Sequence, residues 1–326
     1  MKTTKWGVIG LGKIAHKFVQ DLQRLPNAEV VAVASTSAAR AETFASQYGI
    51  KHFFGNYEAL LEVAGLDVVY VATAHTGHCE ATLSCLRRGV AVLCEKPLAM
   101  NSAEVRQMVA TARRHNVFLM EAIWTRFLPT LSEVLQIIEK GELGTLTTLK
   151  ADFGFRAPFD PQSRIFDPQL GGGSLLDVGI YPVFLSLLLF GKPTVVKAVA
   201  TLGRSKVDES CAMLLQYEGG KTALLDSSIV TKTDSEACIY GTAGSIKIHH
   251  RWHGPNEGFT IRSENKPPEL RQFLWDEGNG YTYEAREVMR CLAEGKTESD
   301  LLPLQFSTDL MELMDAIREE AGIFYS

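Results

Sequence analysis

The order of apolar and polar positions changes about a third of the way along this chain of 326 residues. Before Glu121, short apolar runs alternate with segments in which apolar residues recur every three to four positions, the spacing of helices buried on one side. Strands are predicted at 6–9, 30–34, 68–72, 91–94 and 117–120, and helices at 14–25, 38–48, 57–64, 78–88 and 102–115. This alternation predicts a doubly wound parallel sheet with helices on both faces.

After Thr125 the pattern becomes one of successive strands. A helix is predicted at 129–140, a strand at 146–155, and then a helix that carries Asp177 and Tyr181. Further strands are predicted at 195–202, 211–217, 222–229, 237–240, 245–249 and 258–261, and closing helices at 283–294 and 306–320. The short connections indicate antiparallel pairing. We therefore expect an α+β domain with a large, mostly antiparallel open sheet.

A glycine-rich segment joins the first predicted strand to the first predicted helix. Gly10 allows a tight turn, Gly12 lets the backbone approach a pyrophosphate, and Ala15 is small enough for close packing of helix on strand. The free N–H groups at the start of the helix bind phosphate oxygens. The segment predicts a Rossmann domain that binds a dinucleotide.

The chain length supports two domains, because single cores rarely exceed about 250–300 residues. We predict a dinucleotide-binding Rossmann domain at 1–122 and a substrate-binding and dimerisation domain at 123–326. The open sheet of the second domain needs a cover on its far face, which predicts a homodimer joined through that sheet.

The end of the second predicted strand bears on the choice of dinucleotide. Sites that prefer NAD place Asp or Glu there for the ribose hydroxyls, whereas this chain has Ser35, Thr36 and Ser37, followed by Arg40. No carboxylate repels a 2′-phosphate, and the hydroxyls and the guanidinium can receive it. We predict NADP as the preferred cofactor, with NAD as the alternative.

Three side chains fit the proton transfer of an alcohol oxidation. Lys96 follows a strand, at the edge where open α/β sheets bind ligands, and Pro97 keeps its backbone extended. Asp177 and Tyr181 are four apart, hence on one helical face. A nearby ammonium lowers the pKa of a phenol from about 10. We predict Tyr181 as acid/base, Lys96 as the group that tunes it, and Asp177 as the group that orients both lysine and substrate.

Composition argues against several other classes of protein. The formal net charge of −5 disfavours a nucleic-acid surface. The longest apolar stretch, 183–190, is shorter than the ~20 residues of a membrane helix. The six cysteines form no C-x-x-C pair, which fits reduced thiols in the cytoplasm. The histidines at 249, 250 and 253 lack partners at metal-ligand spacing, so no metal is predicted.

The glycine-rich segment, Glu95-Lys96-Pro97 and the run GGGSLLDVGIY at 171–181 resemble the Gfo/Idh/MocA family of oxidoreductases. The segments EAIWTRF at 121–127 and MELMDAIR at 311–318 are similar to its NADP-dependent dihydrodiol and D-xylose dehydrogenase branch. The resemblance implies the two-domain fold, a dimer through the second sheet, catalytic Lys96, Asp177 and Tyr181, and often a cis peptide before Pro97. Thr36 stands where relatives that use NADP commonly have Arg.

The predicted cofactor-binding and substrate-binding residues form two sets. The predicted cofactor-binding residues are Gly10, Gly12, Lys13, Ile14, Ser35, Thr36, Arg40, Thr73, His78, Glu95 and Lys96. The predicted substrate-binding residues are Trp124, Arg126, Phe155, Asp177 and Tyr181. The predicted reaction is hydride transfer between the cofactor and a sugar, polyol or cyclic diol.

Two other functions fit the same fold, because a fold alone does not prove catalysis. One is a non-catalytic regulator that senses a dinucleotide. The other is a reaction of the same family without net oxidation, such as glycoside cleavage through a transient ketone, in which the protein retains its cofactor.

Overall fold

The computed structural model describes residues 3–264, 266–273, 275 and 278–325. The chain forms two compact units. The first comprises Met1–Phe127 and Glu277–Thr308, and the second comprises Leu128–Asp276 and Asp309–Ser326. The first unit thus takes in a late segment that the predicted division at residue 122 assigned to the second domain.

The first unit contains a six-stranded sheet in which each neighbouring pair of described strands is parallel. Its strands are β1 (Thr4–Ile9), β2 (Ala28–Ala34), β3 (His52–Phe54), β4 (Val68–Val71), β5 (Ala91–Glu95) and β6 (Leu119–Ala122). Their order is β3-β2-β1-β4-β5-β6. This is the Rossmann order: the chain first adds strands on one side of β1 and then continues from β4 on the other side. Ligands of such sheets bind beyond the carboxyl ends of the strands, next to this switch point. The predicted fold class is confirmed.

Helices connect these strands and close the first unit. They are α1 (Lys13–Leu22), α2 (Ala38–Tyr48), α3 (Tyr57–Leu60), α4 (His78–Arg87) and α5 (Ser102–His115). Local signals define two of them well. The Ser37 side chain accepts a hydrogen bond from the N–H of Arg40, and the Asn101 side chain accepts one from the N–H of Glu104. These caps satisfy N–H groups that the first helical turn leaves free.

The late segment belongs to the first unit because it satisfies a buried carboxylate. Asp21 of α1 is 1% exposed and accepts hydrogen bonds from the backbone N–H groups of Asn279, at 2.8 Å, and Tyr281, at 2.8 Å. The Leu119 N–H also donates to the Thr297 carbonyl oxygen at 3.1 Å. A buried charge left without these donors would cost several kcal/mol.

The second unit is built on an eight-stranded sheet. Its strands are β7 (Leu146–Gly154), β8 (Val195–Leu202), β9 (Asp208–Gln216), β10 (Thr222–Ser228), β11 (Ala237–Gly241), β12 (Gly244–Ile248), β13 (Gly258–Ser263) and β14 (Glu269–Gln272). Their order is β14-β13-β12-β11-β7-β10-β9-β8. The β7–β10 pair is parallel and the other described pairs are antiparallel, as the prediction of a mostly antiparallel sheet requires.

Four further helices complete the fold. They are α6 (Pro129–Glu139), α7 (Ile180–Phe190), α8 (Thr282–Ala293) and α9 (Leu304–Ala321). A π-helical turn, Leu175–Gly179, leads directly into α7. By length and composition, Pro168–Phe190 could cross a membrane, although 83% of its most apolar window is buried inside the protein. This burial makes the segment part of the core of the second unit.

Candidate functional site

Gly10 and Gly12 form an open turn between β1 and α1. Gly10 has a φ of 86°, and a Cβ there would lie 2.5 Å from the Ala72 carbonyl carbon. A Cβ on Gly12 would meet no described atom within 4 Å. Gly12 caps α1 without a side-chain hydrogen bond, and Lys13 and half-buried Ile14 begin the helix. The turn leaves space and free N–H groups where a pyrophosphate binds.

The end of β2 presents hydroxyls and one guanidinium. Ser35 is buried, whereas Thr36 and Arg40 are exposed. The Ser37 N–H donates to Ser35 Oγ at 3.3 Å. Arg40 lines a cavity of about 280 Å³ together with Leu11, His16, Ala39, Thr43, Phe44 and Gln47. An anionic group on a ribose would meet the positive charge of Arg40 in this cavity.

Lys96 follows β5 and precedes a cis peptide bond to Pro97. The preceding Glu95 is 9% exposed, and its carboxylate accepts hydrogen bonds from the Tyr70 hydroxyl and from the Lys96 N–H, the latter at 3.2 Å. The half-buried Lys96 therefore rests on a backbone that β5, Tyr70 and Glu95 hold in place. Because the strands are parallel, Lys96 lies at the same sheet edge as Gly10.

His78 has a supporting position in the first unit. Its ring is 0% exposed, and its Nδ1 and Nε2 lie 2.7 Å from the Pro97 carbonyl oxygen and 3.2 Å from the Thr73 carbonyl oxygen. Thr73 is half-buried, and its hydroxyl donates to the Ala74 carbonyl oxygen. His78 thus connects the loop after β4 to the loop that carries Lys96.

Glu121 is a buried acid near Lys96 that the prediction did not single out. It is 2% exposed, and its Oε1 accepts a hydrogen bond from the Leu98 N–H at 2.8 Å. Burial raises the pKa of Glu121 to about 7, while the Leu98 N–H and the Lys96 charge act in the opposite direction. Burial thus favours the protonated form of Glu121.

Trp124 and Arg126 lie in a short 3₁₀ segment, Trp124–Phe127. Trp124 is 8% exposed and stacks on Tyr281, with ring centroids 4.7 Å apart and planes inclined by 16°. The Arg126 Nε–H donates to the Leu301 carbonyl oxygen at 2.7 Å. Both predicted substrate-binding residues are thus anchored by the late segment of the first unit.

In the second unit, Asp177 and Tyr181 lie on the buried segment that begins with the π-helical turn. They are 7% and 8% exposed. Arg164, which the prediction missed, pairs with Asp177 at 2.8 Å from Nη2 to Oδ1. Residues four apart lie about one turn apart in α- or π-helical geometry, so a common face for Asp177 and Tyr181 stays the expectation.

Tyr181 belongs to an aromatic cluster with Phe153 and His253. The Tyr181 ring centroid lies 5.7 Å from that of Phe153 and 5.3 Å from that of His253. Phe153 and His253 stack on each other at 3.6 Å. The predicted substrate residue Phe155 has its ring centroid 6.2 Å from that of Phe153, and both side chains pack against a core cluster of Phe166, Val178, Val207 and Ile229. His253 was not predicted as a site residue, although it lies near His249 and His250 in the sequence.

The first unit fits a dinucleotide, because the turn at Gly10 and Gly12 has the space and donors that a pyrophosphate requires. Metal binding has no comparable support: the described residues contain no group of three His, Cys, Asp or Glu residues that could hold an ion. The described cysteines are all free thiols.

Comparison with known proteins agrees with this geometry. Residues 4–123 match the oxidoreductase family GFO_IDH_MocA with an NAD-binding Rossmann fold, and residues 131–247 match the GFO/IDH/MocA C-terminal domain. The trans-1,2-dihydrobenzene-1,2-diol dehydrogenase of Xenopus tropicalis is 37% identical, over 99% of this chain and 99% of its own. The enzyme of the same name from Mus musculus is 39% identical over 98% of each chain.

Solved structures share the whole architecture. A 3-ketoreductase from Actinomadura kijaniata, in complex with NADP and TDP-benzene, superposes with a TM-score of 0.87 and 26% identity over 98% of each chain. The aldose-aldose oxidoreductase of Caulobacter crescentus has the same fold, with a TM-score of 0.89, 24% identity and 98% coverage of each chain. The chain therefore belongs to the Gfo/Idh/MocA family and is an NAD(P)-dependent dehydrogenase.

Proposed function

We propose that this dehydrogenase uses NADP to oxidise a CH–OH group of a sugar, a polyol or a cyclic diol. One observation carries the proposal: the glycine turn after β1 and Lys96 after β5 lie at the same edge of a parallel sheet in the order β1-β4-β5. Two strand spacings separate them, roughly 10 Å. A nicotinamide cofactor held at this edge would supply the hydride acceptor.

The preference for NADP rests on the end of β2. Ser35 and Ser37 replace the acid that selects NAD, and Arg40 supplies a positive charge beside a cavity. The NADP complex of the Actinomadura 3-ketoreductase supports this choice. Gly10, Gly12, Lys13 and Ile14 would hold the pyrophosphate.

The chain's own residues carry the proton. We propose that the phenolate oxygen of Tyr181 takes the proton of the substrate hydroxyl. The positive charge of the Lys96 ammonium favours this phenolate. Asp177 accepts a hydrogen bond from a substrate hydroxyl, and Arg164 is the cation that pairs with Asp177. The pairing of Lys96 with Tyr181 derives from the sequence motifs.

The substrate class follows from the chemistry of these groups and from the relatives. Tyr181 can take the proton of one hydroxyl while Asp177 accepts a hydrogen bond from a neighbouring hydroxyl. Diols, polyols and sugars all carry two such hydroxyls. The dihydrodiol dehydrogenases and the sugar oxidoreductase among the relatives bear names of this class. We assign Trp124, Arg126 and Phe155 to substrate binding.

We also propose that the protein is a cytoplasmic homodimer joined through the second-unit sheet. One face of that sheet exposes apolar side chains, including Val199 at 75%, Leu214 at 46% and Leu224 at 45%. Leu214 and Leu224 are cross-strand neighbours. A second copy of this chain would remove these side chains from water. The free thiols fit a reducing compartment.

The proposed function is tested by measuring the formation of reduced cofactor from its absorbance. NADP and NAD are compared in parallel, each with aldoses, inositols and cyclic diols as substrates. Turnover with NADP that falls by roughly 10²–10⁴ in Tyr181→Phe supports the proposal. Wild-type turnover in that variant rejects the role of Tyr181. Nucleotide binding without turnover on the panel favours the regulator, and cofactor retained through purification favours the reaction without net oxidation.

A further inference from the structure

Asp208 is a buried carboxylate next to the turn that carries Asp177. It is the first residue of β9 and is 0% exposed. Its Oδ2 accepts hydrogen bonds from the Leu175 N–H at 2.6 Å and from the Ser174 hydroxyl at 2.8 Å. Its Oδ1 accepts one from the Tyr325 hydroxyl at 3.4 Å. Asp208 therefore bonds the first residues of the π-helical turn from a neighbouring strand.

This carboxylate takes the place of a helix cap. Ser174 stands at the N-cap position of the π-helical turn, and its own side chain makes no capping hydrogen bond. Instead, Asp208 accepts from the free N–H of the first residue, where negative charge is favourable. The backbone leaves room for it: Gly173 has a φ of 120°, and a Cβ there would lie 2.2 Å from Asp208 Oδ1.

The surroundings keep Asp208 fixed and isolated from solvent. Ser174 Oγ also lies 3.1 Å from Ser227 Oγ, which ties the same point to β10. Tyr325 lies under Arg318, whose guanidinium carbon is 5.2 Å from the Tyr325 ring centroid. Burial raises the pKa of Asp208 to about 6, and its hydrogen bonds act against that rise. Burial of a carboxylate is unfavourable unless hydrogen bonds compensate for it, so the bonds of Asp208 call for a structural explanation.

We propose that Asp208 is a positioning residue: it fixes the start of the π-helical turn and thereby the side chains of Asp177 and Tyr181. This inference rests on the proposed function of those two residues. Asp177 is two positions after Leu175, and Tyr181 follows on the same rigid segment, so a displacement at Leu175 passes directly to both. Displacements of about 1 Å at reacting groups reduce turnover by roughly 10²-fold.

The experiment compares Asp208→Ala, Asp208→Asn and Ser174→Ala with wild type and with Ser186→Ala, a buried serine of α7 whose hydroxyl bonds the Val183 carbonyl oxygen instead. Asp208→Ala should lower kcat by roughly 100-fold. Asp208→Asn keeps one acceptor and Ser174→Ala removes one bond, so each should lower kcat by about three- to ten-fold. The KM for NADP should change by less than about two-fold, because the first unit binds it. Ser186→Ala should match wild type.

A second measurement is independent of turnover. Hydrogen exchange of residues 175–181 should accelerate in Asp208→Ala and less in Asp208→Asn, while that of residues 282–293 stays as in wild type. The proposal is overturned if Asp208→Asn and Ser174→Ala keep wild-type kcat and exchange, or if kcat falls only in proportion to lost NADP binding. These two variants decide the question if Asp208→Ala does not fold. A wild-type kcat in Tyr181→Phe would instead reject the proposed function. The hydrogen-exchange measurement alone would then decide whether Asp208 fixes the π-helical turn.

Discussion

Arg164 and Asp177 form an ion pair in the second unit, with 2.8 Å between Nη2 and Oδ1. The side chain of Asp177 is 9% exposed, whereas that of Arg164 is 42% exposed. A nearly buried carboxylate is thus neutralised by a cation that still reaches solvent. Arg164 lies in the loop between β7 and the π-helical turn, and it gives the proposed site a positive group that the motifs did not indicate.

Replacing Arg164 should weaken the action of Asp177 without removing it. We expect Arg164→Met to lower kcat/KM by about ten-fold, because a charge-assisted hydrogen bond to Asp177 is lost. Steady-state kinetics with the substrate found in the panel measures the change. Lys232→Met removes an exposed charge from the same unit and serves as control. Equal kinetics in the two variants would show that Arg164 has no part in the site.

Arg40 should determine the choice between the two nucleotides. We expect Arg40→Ala to raise the KM for NADP by about ten- to hundred-fold, since a charge-assisted hydrogen bond to the 2′-phosphate contributes roughly 1.5–3 kcal/mol. The KM for NAD, which lacks this phosphate, should change little. Arg113→Ala, at the exposed end of α5, is the control. Parallel losses with both nucleotides would exclude a role specific to the phosphate.

His78 should stabilise the first unit through two carbonyl groups. We expect His78→Phe to reduce the free energy of unfolding by about 1–3 kcal/mol, because phenylalanine cannot supply the ring N–H that His78 presents to these carbonyl oxygens. Denaturant titration measures the loss, and His115→Phe, on the surface of α5, is the comparison. An unchanged unfolding midpoint in His78→Phe would contradict this account.

Glu284 should destabilise the protein increasingly as pH rises. It is 0% exposed, and its carboxyl oxygens have no hydrogen-bond partner among the described residues. Burial and the charges of Glu95 and Asp21 raise the pKa of Glu284 well above its usual value. The folded state therefore holds a proton that the unfolded state releases above about pH 4.3. Stability falls as pH increases from there toward the folded-state pKa.

We accordingly expect Glu284→Met to increase the free energy of unfolding by about 1–4 kcal/mol at neutral pH, with a smaller gain in acid. Urea unfolding at several pH values measures this difference. Glu142→Met, at an exposed position, should give no such pH dependence. Destabilisation by Glu284→Met at neutral pH would mean that the carboxyl has a favourable partner.

The exposed face of the eight-stranded sheet should control self-association. We expect Val199→Lys to convert a dimer into a monomer, because it places a charge at the most exposed of the three apolar positions cited above. Sedimentation velocity over a range of concentrations measures the shift. Phe53→Lys, at an exposed apolar position on β3 of the first unit, is the control. A wild-type protein that stays monomeric throughout would reject the proposed dimer.

Sequence predicted best the elements that carry their own boundary signals. The predicted bounds of α2 and α5 agree with the structure, because Ser37 and Asn101 cap these helices by contacts three residues away. Two strands were missed for opposite reasons. β3 has only three residues, too few for a period to be recognised, whereas β14 is exposed along its whole length and has no alternation of buried and exposed positions.

Contacts between site residues that are far apart in the chain could not be predicted from the sequence. Arg164 meets Asp177 from 13 positions away, and Asp208 meets Leu175 from 33 positions away. The aromatic cluster of Phe153, Tyr181 and His253 joins three separate segments of the second unit. No spacing rule connects such residues, since they come from loops, helical turns and strands that meet only in the folded unit.

The hydrogen bonds from Asn279 and Tyr281 to Asp21 also affect how the protein folds during its synthesis. They join positions 258 and 260 residues apart, so the first unit cannot close as its own strands leave the ribosome. Folding from the N-terminus, domain by domain, is the usual order during synthesis. Here Asp21 gains these two donors only after residues 279 and 281 have been translated. Chaperone demand and sensitivity to premature termination should consequently be greatest for the half of the protein that is synthesised first.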